Sequence, residues 1–187
     1  MVTGWLPYAA LEGGFIPIRA EGGVPADHTF LVPAWLTPLT ATLIHGGIAH
    51  LALNLVMFVY CGQFAERALG AGGIVSLYVV GAYAAALGHW AFEPGSAVPM
   101  IGASGAISAV VAAYALLYGE RRARGIGPIP AGVVHVAWLA AAWVGIQLLV
   151  GVAGVGGVTI AVGAHIGGFI AGLALARPLL LWRYRAA

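Results

Sequence analysis

Five apolar runs, each close to the ~20 residues a helix needs to cross hydrocarbon, organise this chain of 187 residues. They cover approximately residues 38–64, 72–92, 101–118, 131–152 and 158–181. In lipid every backbone N–H and C=O must be satisfied within its own segment, so runs of this length are read as helices. The expected fold is therefore an all-α polytopic membrane protein, a helical bundle with five clear transmembrane helices. Composition agrees: 7% of residues are charged and 61% hydrophobic, whereas a soluble domain carries roughly 25% charged residues.

Residues 1–35 differ from the rest. Glu12, Arg19, Glu21, Asp27 and four prolines interrupt them, and they are read as an N-terminal extracytoplasmic loop with an interfacial segment. Residues 36–181 form the transmembrane core and 182–187 a cytoplasmic tail. Met1–Ala10 lacks the basic start and long apolar stretch of a signal peptide. Arg67, Arg121, Arg122, Arg124, Arg177, Arg183 and Arg185, seven of the eight basic residues, fall on one side if the spans alternate. That side is expected to be cytoplasmic. The chain then begins outside with no earlier span to carry it there, which points to a missing upstream helix. A net charge of +2 tied to helix ends gives no reason to expect nucleic-acid binding. Cys61 is the only cysteine, so an internal disulfide and a metal site of paired thiolates are both excluded.

Polar and ionisable groups at membrane depth are rare and mark functional sites by default. Ser104 stands in Gly102-Ala103-Ser104-Gly105-Ala106, about two residues into the third run, where unpaired N–H groups and the helix dipole favour negative charge. His165 stands in Ala164-His165-Ile166-Gly167-Gly168 near the start of the last run, at similar depth on the same side. A hydroxyl and an imidazole are what a serine hydrolase needs. Each also has a plainer explanation, a Ser bonding back to its own helix and a His held by a carbonyl. Gly163, Gly167, Gly168 and Gly172 allow close helix contact.

The first run holds His45, His50 and Asn54. On one continuous helix His50 and Asn54 share a face, while His45 lies ~140° from His50. Two donors on one face suit an oxyanion; a polar packing seam is the plainer alternative, and His45 is assigned to hold the start of the helix and the outer loop. His89 and His135 are read as interfacial or locally bonded. Asp27 is the only aspartate, and Glu12, Glu21, Glu66, Glu93 and Glu120 all lie away from mid-span. A base at His165 would thus work without a carboxylate partner, as a Ser–His dyad.

These motifs, taken in order on separate runs, resemble the rhomboid family of intramembrane serine proteases. Trp35-Leu36-Thr37, Glu66-x-x-x-Gly70, Tyr78 and Gly81 extend the likeness over residues 30–176. The resemblance implies a serine endopeptidase that cleaves single-span transmembrane proteins near the extracytoplasmic face of the bilayer, in a bacterial cytoplasmic membrane, with no cofactor and no metal. It implies Ser104 as nucleophile and His165 as general base. It makes His50, Asn54 and the Ser104 N–H the oxyanion site, and His45, Gly102, Gly105, Glu66 and Gly168 structural. Glu66 would tie the turn after the first run. Family members have six core helices; the one before the outer loop is absent here, and Met1–Pro17 resembles only its tail. Trp35 is followed by Leu where many members have Arg. A catalytically inactive client-binding relative is the alternative reading, and a small transporter using the histidines is a third, lacking any carboxylate in the spans or inverted repeat.

Overall fold

A computed structural model describes residues 4–23, 29–119, 124–153 and 161–185, with 146–153 described by backbone alone. The described residues are helical, joined by turns and two isolated bridges between short extended pairs. Helices α1 (Trp5–Gly13), α2 (Pro17–Ala20) and α3 (Thr37–Thr40) are short; α4 (Ile48–Phe92), α5 (Ser104–Tyr118), α6 (Ala131–Ala153) and α7 (Val162–Arg183) form the bundle.

The first two expected runs appear as one element with a kink; the first begins at Ile48 rather than at residue 38, while the second, beyond the kink at Gly70, lies where the sequence placed it. Residues 34–43 fold into short turns around α3, Ile44 is extended, and the helix starts at Ile48 after Gly46-Gly47. α4 then continues for 45 residues, broken at Gly70, where φ is +76°. Only glycine reaches that conformation without strain. The break leaves two arms of about 22 residues, each roughly 33 Å long at 1.5 Å per residue. Glu66 and Arg67 therefore end the first arm rather than sit in a loop. Arg183, the last residue of α7, donates to the carbonyls of Glu66 (3.2 Å) and Arg67 (2.7 Å). A cation thus satisfies the carbonyl end of the arm.

Helices α4 and α7 are long and apolar enough to cross a bilayer, while α5 and the stretch from Ala131 to Gly145 are shorter apolar segments. Val158, Asp27, Glu120, Arg121 and Arg122 lie outside the described residues. The fold is all-helical, and a count of five crossings rests on the sequence runs.

α5 occupies the middle, packed against α4 and α7. Its Val110, Ala113 and Leu116 join Cys61, Ala65, Leu69, Leu77 and Ala176 in the main apolar core. Small residues let the main chains touch. The glycines of α7 form two stripes rather than one: Gly163 and Gly167 lie against Gly88 and Ala84 of α4, and Gly168 and Gly172 against the Gly105 and Ala109 carbonyls of α5. Lipid supplies no hydrophobic drive between helices, so this close packing is what holds them together.

The N-terminal residues cap the Ser104 end of the bundle. Phe15 pairs with Met100 through two backbone bonds (3.0 and 2.8 Å), and Ile18 donates to the Ser96 carbonyl (3.1 Å). Trp90 donates to Glu21 (2.7 Å), and Thr40 to the Gly13 carbonyl (2.7 Å). Glu12 and Arg19 are both buried. Glu12 accepts from the Leu31 N–H at 2.7 Å, and Arg19 reaches the Glu12 and Val32 carbonyls and covers the Phe30 ring. Burial lowers the Arg19 pKa from its ordinary value, and the Glu12 carboxylate opposes that shift.

Candidate active site

Ser104 is the first residue of α5, so its N–H has no partner inside the helix. The chain reaches it through Gly102, whose φ of +107° turns the backbone and whose N–H donates to the Ala41 carbonyl at 2.8 Å. A Cβ at Gly102 would lie 2.6 Å from His50 Cε1. Glycine here therefore serves both the turn and the seat of the imidazole.

His165 lies in the first turn of α7, at the same end of the bundle. Its Nε2 stands 2.7 Å from Ser104 Oγ. With the ring proton on Nδ1, Nε2 accepts from the hydroxyl; the tautomer follows from the hydrogen-bond network. Gly168, one turn further along, presses on the Gly105 carbonyl, one residue beyond Ser104. The pair that the sequence placed at matching depth is thus in direct contact. Trp143 of α6 stacks on Phe169, with ring centroids 5.1 Å apart, and directs its indole N–H at the His165 carbonyl (3.4 Å). The sequence offers no signal for that contact beyond a tryptophan within an apolar run.

His50 and Asn54 lie in the first two turns of α4, on the face that meets α5. Asn54 is buried and, among the described residues, its Nδ2 is without a hydrogen-bond partner, as is Nδ1 of His50. Hydrogen-bonding capacity therefore remains on both side chains, His50 lying against Gly102 and Asn54 lining a cavity with Ala103. His45 is not on the helix, so its expected place on a helical wheel does not apply. Its ring meets that of His50 edge-on, with centroids 5.1 Å apart, and its Nε2 is unpartnered. It buttresses His50. A cavity of about 510 Å³ between the two arms of α4 runs from Tyr78 and Val75 up to Asn54 and His45.

Two other expectations change. His89 and His135 are buried, and the Nε2 of each has no hydrogen-bond partner, so neither is locally bonded through that atom nor exposed at an interface. Glu66 is exposed and joins the far turn through its carbonyl; its carboxylate accepts no hydrogen bond among the described residues. Among the described residues no three His, Cys, Asp or Glu side chains come together as a metal site.

The arrangement has the parts for acyl transfer: a hydroxyl within reach of an imidazole, at a helix N-terminus, beside unspent donors. The rhomboid domain model matches residues 33–182. The rhomboid protease GlpG of Pectobacterium atrosepticum is 32% identical over 136 residues, covering 72% of this chain and 45% of that protein. GlpG of Photorhabdus laumondii is 33% identical over 148 residues, covering 79% and 47%. The rhomboid protease GluP of Bacillus subtilis is 36% identical over 84 residues, covering 45% and 16%. The chain spans about half the length of the GlpG relatives it matches.

Proposed function

This chain belongs to the rhomboid family, and from that premise we propose that it is an intramembrane serine endopeptidase working through a Ser104–His165 dyad. The observation that carries the proposal is the 2.7 Å contact between Ser104 Oγ and His165 Nε2. As Oγ attacks a substrate carbonyl, His165 takes the hydroxyl proton, and the carbonyl oxygen becomes an oxyanion. The Ser104 N–H, His50 and Asn54 supply donors to it. Collapse expels the amine, which receives the proton from His165. Water then repeats the sequence on the acyl-enzyme and frees Ser104. In this scheme the Trp143 N–H on the His165 carbonyl and the glycine contacts of α7 hold in place the helix turn that carries the imidazole.

Five crossings with the arginines in the cytoplasm put Ser104 and His165 near the opposite face, where water reaches a shallow site. The substrates are single-span membrane proteins, and the chemistry calls on no cofactor or metal. The decisive experiment is reconstitution with a generic single-span substrate and a fluorophosphonate probe. Cleavage and labelling at Ser104, both lost in Ser104→Ala, are the expected outcome. Full cleavage by Ser104→Ala overturns the dyad, and a folded wild type that neither cleaves nor labels favours a client-binding relative.

A further inference from the structure

At the end of the bundle away from Ser104, a cavity of about 340 Å³ opens between the end of α5, the start of α6 and the end of α7. Leu116, Val133, Val136 and Leu173 give it apolar walls. Its polar lining is basic: His135 and Arg177. His135 is only 7% exposed, and its Nε2 has no hydrogen-bond partner among the described residues. A buried polar atom left in this state costs stability unless something completes it. Arg177 makes no hydrogen bond or ion pair among the described residues.

A third donor converges on the same place. α6 begins at the cavity with Gly132 in its wall. Val133 and Val134 both donate to the Pro130 carbonyl, at 2.9 and 3.2 Å. The N–H groups of Ala131 and Gly132 have no carbonyl partner among the described residues. The positive end of a helix of 23 residues, a guanidinium and an imidazole nitrogen that donates in its Nε2–H form are together suited to an anion. The apolar walls extend it into a slot that suits the glycerol and upper acyl segments of a lipid. We propose that this cavity binds a phosphate group carried by an anionic membrane lipid, held by Arg177, His135 and the start of α6. The site is remote from Ser104, so it stands whether or not Ser104 is a nucleophile.

The test uses the full chain in nanodiscs of phosphatidylcholine with and without phosphatidylglycerol. Retained lipid is counted by native mass spectrometry, and Tm is read in parallel. Wild type should retain phosphatidylglycerol over phosphatidylcholine. Arg177→Gln, a change at an exposed side chain, should lower that preference by about fivefold, the ordinary worth of one basic group at an anionic surface. His135→Leu should lower it too, while Tm in phosphatidylcholine stays the same or rises, because an unpartnered buried polar atom has been removed. Arg177→Lys should keep most of the preference. Arg185→Gln, on the same side but outside the cavity, should leave it unchanged. Equal retention of the two lipids by wild type overturns the proposal. An Arg185→Gln loss as large as that of Arg177→Gln overturns it in favour of diffuse surface attraction. Displacement of the lipid by inorganic phosphate overturns the lipid-borne assignment and leaves a soluble-anion site.

Discussion

Ser104 and His165 meet across two helices whose backbones touch one residue from the serine. Removing either side chain should abolish cleavage while helical content by circular dichroism stays the same. The double variant should be no slower than either single one, since groups acting as a unit are not additive. The donors make a second prediction. Charge appears on the carbonyl oxygen only in the transition state, so His50→Ala should lower kcat by about 10²–10³ with little change in KM. Asn54→Ala should lose less if His50 and the Ser104 N–H remain in place. A rise in KM at constant kcat would move both residues from oxyanion to substrate contact. Gly102→Ala should reproduce much of the His50 defect without touching His50, because its Cβ would take the space of the imidazole and its φ of +107° would be strained.

Among the helices, the two glycine stripes of α7 are where a single methyl group has most effect. Gly168→Ala forces the α5 carbonyl of Gly105 away and should cost about 1–3 kcal/mol, as overpacking does. Gly145→Ala in α6 meets nothing within 4 Å and should be neutral or stabilising by up to ~1 kcal/mol, the helix-propensity difference. Thermal unfolding in detergent distinguishes the two, and equal Tm values would show that the α5–α7 contact is not close. The spacing of these glycines is legible in the sequence, but their division between α4 and α5 is not, since a repeat of small residues does not say which neighbour each one meets. The start of α4 is hidden in the sequence for a different reason. Residues 38–64 are almost uniformly apolar, which hides the turns around Pro38 and the stop at Gly46-Gly47; that dipeptide is the local signal that a helix breaks there. His45 therefore precedes the helix instead of lying on it.

For the molecule as a whole, the placement of the candidate site is legible because Ser104, His165, His50 and Asn54 each stand near one end of their own helix, and those ends come together. The cap over that end was not legible. Glu12 and Arg19 look like solvated loop charges until Leu31, Val32 and Phe30 fold over them, and contacts at that separation leave no periodic trace. A helical substrate keeps its carbonyls bonded, so the proposed protease should require local unwinding. A span made only of Leu should resist cleavage, and Gly-Ala or Pro placed in its outer third should make it cleavable, as read by product mass. Cuts confined to cytoplasmic loops would reverse the proposed orientation.

The contact between Gly168 and the Gly105 carbonyl also sets a tolerance. Two main chains resting on each other act as a mechanical stop, so the gap from oxygen to nitrogen is gauged by peptide units whose dimensions no substitution elsewhere alters. Trading one aliphatic residue for another in the core around Leu77 and Val110 should therefore change how long the protein survives heating, yet leave turnover per folded molecule nearly constant. Changes along the glycine seam should do the opposite, altering the rate before the melt.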